Sequence, residues 1–345
     1  DWSSRFALPQ NNVVLPVNYL NGRFAALGAR GPVLTSTDGQ AWTLTRLGVS
    51  ETNPSLAYGN GTYVAAFSTT SLFTSTDASN WMRRATALGT DGRQFSGNPN
   101  ALTFGGGRFV VVGTFGLVAS STDGVTWTTA STVTSDTLNS VAYGAGKFVA
   151  LGAGGRTIVS TDGLNWSPGP VLPEPVVYVA FGGGLFAAAS TSNYVYTSPD
   201  GVTWTRRSLP TSSLVRSLQF TGAGFLAPLT STVPGEYVVS ADGLAWSKKQ
   251  LNFNLTTGVT AMSFGNGRYV MSGNAPETLL SSADGTTWTR TGPASFFNFL
   301  AATASSTTAV VVGTNGMIYS SPDGNTWTSR ASGTTNQLSD VTFAA

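Results

Sequence analysis

The sequence predicts an all-β protein, a β-propeller built from four-stranded antiparallel blades. Three observations predict it. A phrase, Ser-x-Asp-Gly-x-x-Trp, returns eight times along the 345 residues at a period near 40. Between its copies lie short apolar, β-prone runs of four to six residues punctuated by glycine. No window carries a long 3.6-residue periodicity free of glycine, which a helical solenoid of similar period requires.

The phrase reads STDGQAW from Ser36 to Trp42, STDASNW from Ser75 to Trp81, and STDGVTW from Ser121 to Trp127. It continues as STDGLNW to Trp166, SPDGVTW to Trp204, SADGLAW to Trp246, SADGTTW to Trp288 and SPDGNTW to Trp327. Successive tryptophans are 39, 46, 39, 38, 42, 42 and 39 residues apart, and Trp2 stands 40 before Trp42. Every tryptophan in the chain therefore holds the same place in a repeat.

Asp-Gly between two apolar runs is a strong hairpin signal, and a type I′ turn needs φ > 0 at both central residues. The Asp carboxylate accepts from the N–H groups of its own turn, and the Ser hydroxyl braces it. The Trp that follows is placed to wedge between neighbouring sheets. Burying about 150–250 Å² of indole at ~25 cal/mol/Å² stabilises by roughly 4–6 kcal/mol, an upper bound. In the second copy Ala78 replaces the glycine, which costs about 1 kcal/mol if φ stays positive there. On this reading Asp38, Asp77, Asp123, Asp162, Asp200, Asp242, Asp284 and Asp323 are fold residues. So are Trp42, Trp81, Trp127, Trp166, Trp204, Trp246, Trp288 and Trp327.

Within a repeat the elements come in a fixed order. In the copy from Leu138 to Pro168 a first strand, Ser140 to Tyr143, meets a turn at Gly144-Ala145-Gly146. A second strand, Lys147 to Leu151, leads through Gly152-Ala153-Gly154-Gly155 to a third, Arg156 to Ser160. The Asp-Gly turn then opens a fourth strand at Trp166. The first turn recurs before Phe24, Tyr63, Phe109, Phe186, Phe225 and Tyr269, while the last copy reads Ala304-Ser305-Ser306-Thr307-Thr308. These glycine clusters lie between strands, with no helix to receive an anion, so they read as hairpins and not as phosphate loops.

Residues 1–5 align with the start of a fourth strand and residues 338–345 with the start of a first strand. The count adopted is eight blades, with seven or nine as alternatives, in a single domain spanning 1–345. Strands from the two ends are expected to pair and close the ring, which removes exposed edges.

Composition removes whole classes of function. Histidine and cysteine are absent, so the commonest general base, every Ser-His-Asp or Cys-His arrangement and nearly all zinc sites are excluded. Only 10% of residues are charged, the net charge is +2, and no basic run exceeds two residues. That argues against nucleic acid and against an anionic membrane as partners. No apolar run approaches the ~20 residues that span a bilayer, and no leader-peptide pattern is read at the start. A low-charge chain rich in Ser, Thr, Gly and Asn points to a secreted, periplasmic or cell-surface setting.

The repeated phrase resembles the Asp-box, the S-x-D-x-G-x-x-W turn of sialidases and of many non-catalytic bacterial propellers, the BNR-repeat type. The resemblance covers nearly the whole chain, but here Gly follows Asp directly. It implies a turn between third and fourth strands, on the rim and away from any substrate face, and so fold residues and not catalysts. A sialidase also uses an arginine triad, a Tyr nucleophile paired with Glu, and an acidic proton donor, and no local motif places those roles here.

In a propeller, ligands usually meet the face made by the inter-blade loops and the second-to-third-strand loops. All four glutamates fall there: Glu51 and Glu174 between blades, Glu236 and Glu277 between second and third strands. Asp91 and Arg93 lie in the one long insertion, between Trp81 and Leu102, and Arg216 lies in another inter-blade loop. Arg30 and Arg156 flank this face, with Phe296, Phe297 and Phe299 as an aromatic cluster. The candidate ligand-binding set is therefore Glu51, Asp91, Arg93, Arg156, Glu174, Arg216, Glu236 and Glu277, with no catalytic residue assigned.

No cofactor is expected, and Ca²⁺ is the metal that such oxygen ligands would suit. The expected function is non-catalytic binding or scaffolding, with a glycan or a protein as partner and the chain as a module of a larger protein. Two alternatives stay open. A glycan-cleaving hydrolase or lyase would use paired carboxylates about 5–9.5 Å apart, for which Glu236 and Glu277 are the candidates. A structural subunit would be linked to its neighbours by strand exchange.

Overall fold

The computed structural model describes residues 24–27, 32–36, 43–49, 55–67, 71–84, 97–130, 133–221, 224–230, 235–251, 259–265, 268–273, 280–290, 299–304 and 307–338. Its strands are antiparallel throughout, and every sheet but the sixth is a simple up-and-down meander among the described residues. Numbered in chain order, the fourth sheet is representative. Its strands are Leu138–Gly144, Lys147–Gly152, Thr157–Ser160 and Ser167–Pro168, paired in that order.

The all-β propeller with four-stranded antiparallel blades is what the structure contains, but the blade count differs from expectation. Among the described residues six sheets are four-stranded blades, not eight, seven or nine. Two further sheets depart from the pattern: the first has three strands among the described residues, and the sixth has five. The sixth has a physical cause. Its innermost strand is split into Leu214–Val215 and Gln219–Phe220, both paired to Phe225–Thr230. Pro228 of that partner strand lies opposite the break and has no N–H to donate to the ladder. The terminal segments expected to close the ring, residues 1–5 and 339–345, lie outside the described residues.

Consecutive sheets stack face to face, first strand against first strand from the second sheet to the sixth and again from the seventh to the eighth, while the seventh sheet's first strand meets Phe225–Thr230 of the sixth. The core lies in these interfaces. Second strands such as Arg108–Gly113 and Lys147–Gly152 are buried on both faces after their first residue, which is why they read as unbroken apolar runs and not as alternations. Trp127 is almost fully buried against Ala57, Val64 and Leu72 of the preceding sheet, and Trp166 sits likewise against Val110 and Val112.

The two kinds of turn exchange their expected roles. At the first-to-second turn Ala145 and Gly146 both have positive φ, 47° and 73°, as a type I′ hairpin requires. In the Ser-x-Asp-Gly turns only the glycine does, as at Gly163 with φ 71°. The type I′ expectation at Asp-Gly is thus corrected: the carboxylate, not a second left-handed residue, closes that turn. Ala78 does adopt φ 58°, at a cost of about 1 kcal/mol.

A glycine role that hairpin reasoning overlooks appears at Gly144, whose φ is not positive. A Cβ there would stand 2.0 Å from Cγ of Phe181 in the next sheet. Gly59, Gly105 and Gly182 seat Phe104, Tyr143 and Phe220 in the same way. These glycines are holes into which each following sheet inserts a ring.

Candidate functional site

The meander gives the molecule two unlike faces. One carries the first-to-second turns and the Ser-x-Asp-Gly turns. The other carries the second-to-third loops and the loops between sheets, and is called the loop face below.

On the turn face the aspartates are occupied by their own backbone. Asp162 Oδ1 accepts from the N–H groups of Leu164 and Asn165, both at 2.8 Å, and from Ser160 Oγ at 2.9 Å. Asp77, Asp123, Asp200, Asp242, Asp284 and Asp323 repeat this pattern. The backbone donors hold the carboxyls of Asp77, Asp162, Asp200 and Asp284 well below the usual range, and that of Asp323 at about 2. Indole N–H groups of Trp81, Trp127, Trp204, Trp246 and Trp327 donate to the carbonyl three residues back. Trp288 instead donates to the Tyr237 hydroxyl, which passes the bond to Gly285 O. Trp166 Nε1 is buried without a partner, and nothing in the structure explains it. Asp38 and Trp42 lie outside the described residues.

First strands of the second to sixth sheets surround a cavity of about 370 Å³. Among the described residues its wall is built from hydroxyl, amide, apolar and aromatic side chains, Ser55, Asn100, Asn139, Ser140, Tyr178 and Gln219 among them, with no Asp, Glu, Lys or Arg. Each of these strands in the third, fourth and fifth sheets has a bulge one residue from its loop-face end. The extra residue turns its side chain out of the ladder. Asn100 and Asn139 occupy two of the bulges, and their Nδ2 groups donate to Leu138 O at 3.0 Å and Val176 O at 2.7 Å of the next sheet. Burial raises the Tyr178 hydroxyl pKa, and the charge of exposed Arg216 offsets part of that shift.

The predicted ligand-binding residues are held apart by separate partners. Glu174 accepts from the Tyr196 hydroxyl and pairs with Arg206, whose guanidinium lies 3.4 Å over the Tyr194 ring. Burial, with the Glu174 carboxylate beside it, pushes Tyr196 up to about 12. Arg156 pairs with Asp136 at 2.9 Å, and Thr134 Oγ1 also donates to that carboxylate, at 3.1 Å. Glu236, expected in a loop, is instead the first residue of strand Glu236–Ser240, because the chain re-enters the sheet directly after Gly235. It is buried and receives Lys248 Nζ at 2.8 Å. Arg216 lies near Tyr178 and belongs to none of these clusters. Glu51, Asp91, Arg93, Glu277, Arg30, Phe296 and Phe297 lie outside the described residues, and Phe299 opens the strand Phe299–Ala304. No group of three acidic, His or Cys side chains suited to a metal occurs among the described residues.

One residue of the loop face escaped the sequence reading. Phe115 is 70% exposed at the tip of the second-to-third loop of the third sheet, with φ 56° and ψ 33°. The signal was available: aligning residues 113–116, GTFG, with 152–155, GAGG, and 313–316, GTNG, puts Phe where the other copies have Gly and Asn.

Fold and repeat together define a β-propeller with a cavity among its first strands. The sequence matches the family described as DUF6242 beta propeller domain over residues 77–218 and 230–341, and the chain belongs to that family. No curated protein matches it by sequence. Among solved structures it is similar to the computationally designed Ika8 protein, with TM-score 0.66 and 15% identity over 96% of this chain and 95% of that one. It is similar to YCF48 bound to D1 peptide, with TM-score 0.54 and 22% identity over 68% of this chain and 81% of that one. It also resembles BamB from Moraxella catarrhalis, with TM-score 0.61 and 13% identity over 88% of this chain and 96% of that one. At these identities the likeness concerns the fold. No helix among the described residues is long and apolar enough to cross a membrane.

Proposed function

We propose that this chain is a non-catalytic binding or scaffolding propeller that takes up a protein partner on its loop face, over the central cavity. The observation that carries the reading is the wall of that cavity. Among the described residues it combines hydrogen-bonding, apolar and aromatic side chains with no carboxylate, ammonium or guanidinium. A glycosidase needs two carboxylates across one bond, and proton transfer needs a group poised near the working pH. The described glutamates are each committed to a cation elsewhere. That a similar propeller, YCF48, has been seen with a peptide bound supports a protein partner over a glycan. The Ser-x-Asp-Gly turns belong to the fold on this reading, as their likeness to the Asp-box implies, and the low-charge composition favours a secreted, periplasmic or cell-surface setting.

The test is a peptide array and a glycan array probed with the purified chain, alongside glycosidase and lyase assays. Peptide binding without turnover is the expected result. Turnover abolished by Glu236→Gln would overturn the proposal, as would binding confined to glycans.

A further inference from the structure

We propose that Phe115 is the anchoring contact of that partner surface and receives an apolar side chain from an extended protein segment, an inference that rests on the binding function proposed above. The chain supplies its own controls. Three second-to-third loops, in the third, fourth and eighth sheets, share one backbone: an extended glycine, then a central residue with positive φ, then a glycine. In each, the N–H of the residue that follows returns to the carbonyl of the residue before the tip. The tip is Phe115 in one, Gly154 and Asn315 in the others, with φ 56°, 64° and 58°.

Glycine and asparagine enter this left-handed region easily, whereas a bulky side chain there is strained. The ring gains no burial in return, since 70% of Phe115 is exposed. The fold therefore does not require phenylalanine at this tip, and strain held at an exposed aromatic is the pattern of a contact residue.

Its place and chemistry indicate the occupant. The loop Thr114–Gly116 lies against the first strand of the fourth sheet, whose Asn139 and Ser140 line the cavity. Val171 and Leu214, on the same loop face, are exposed apolar side chains as well. A cavity of about 370 Å³ whose described wall carries no charge suits one or two side chains of an extended segment, and is too small for a folded element.

The experiment selects peptides from an array with the full chain and measures affinity by fluorescence anisotropy. Phe115→Asn, which installs the residue of the eighth sheet, is expected to weaken binding about tenfold or more and to leave thermal stability unchanged or raised. Val202→Thr, on the turn face, is expected to leave affinity within about twofold. Equal affinity for wild type and Phe115→Asn would overturn the anchor while leaving the binding function standing. Marked loss of stability in Phe115→Asn would overturn it by making the ring structural. Selected peptides without an apolar residue, or Phe115-dependent binding of glycans alone, would overturn the stated occupant. Failure to bind any peptide would overturn the underlying function itself.

Discussion

Replacing Gly144 by alanine asks whether the sheets interlock through rings seated on glycines. The added methyl would lie 2.0 Å from Cγ of Phe181 and 2.3 Å from both its Cδ atoms. Carbon atoms rest at about 3.5–4.0 Å, so the ring has to retreat by about 1.5 Å. Phe181 is itself packed on fully buried Phe186, with ring centroids 4.7 Å apart, which leaves little room behind it. Overpacking of this kind costs about 2–3 kcal/mol, with no backbone contribution, because φ at Gly144 is not positive. The neighbouring Gly146→Ala is the internal control. Its Cβ meets open space and only its φ of +73° is strained, a cost of about 1 kcal/mol. Urea and thermal unfolding of both variants should rank Gly144→Ala below Gly146→Ala by about 1–2 kcal/mol. Adding Phe181→Ala to Gly144→Ala should cost less than the two single changes summed, because the cavity absorbs the methyl. Equal costs for the two glycines, or strict additivity in the cycle, would refute the interlock.

Other predictions follow from the same geometry. The turn aspartates have folded-state pKa values below the unfolded value of about 3.9, at about 2 for Asp323 and lower for Asp77, Asp162, Asp200 and Asp284. Their stabilisation is therefore present above about pH 4 and lost as pH falls through the folded values, so the thermal midpoint should drop steadily from about pH 4 to pH 2. A flat profile over that window would contradict the hydrogen-bonded turn. Asn139→Ala removes the bond to Val176 O and should cost about 0.5–1.5 kcal/mol in unfolding measurements. Phe115→Asn should be neutral or stabilising by the same assay, since it puts a residue tolerant of positive φ at a strained tip.

Much of the architecture was readable because it repeats. Tryptophan spacing marks one sheet after another, and the apolar second strands announce the middle of each. The sixth sheet was not readable from period alone, since its Trp204–Trp246 interval of 42 residues equals the Trp246–Trp288 interval of the next sheet, whose first strand is unbroken. Gly144 was read as part of a hairpin because a glycine shows no side chain to betray its neighbour, and here the neighbour comes from the next repeat. Glu236 is expected in the second-to-third loop, although the strand begins at once after Gly235. The candidate site was the least legible part. Charged residues were sought, whereas the described wall of the cavity mixes Ser, Asn, Gln and Tyr with apolar side chains, and residue type does not separate a cavity wall from any other strand face. Phe115 was within reach, but only by comparing one loop with its siblings.

The most direct test of the account is hydrogen exchange of the full chain with and without a peptide selected on it. Binding over the cavity should slow exchange in the loops at 114–116 and 170–175 and leave the Ser-x-Asp-Gly turns unchanged. Slowing confined to the turns at 122–126, 161–165 and 199–203 would place the partner on the opposite face and contradict the account.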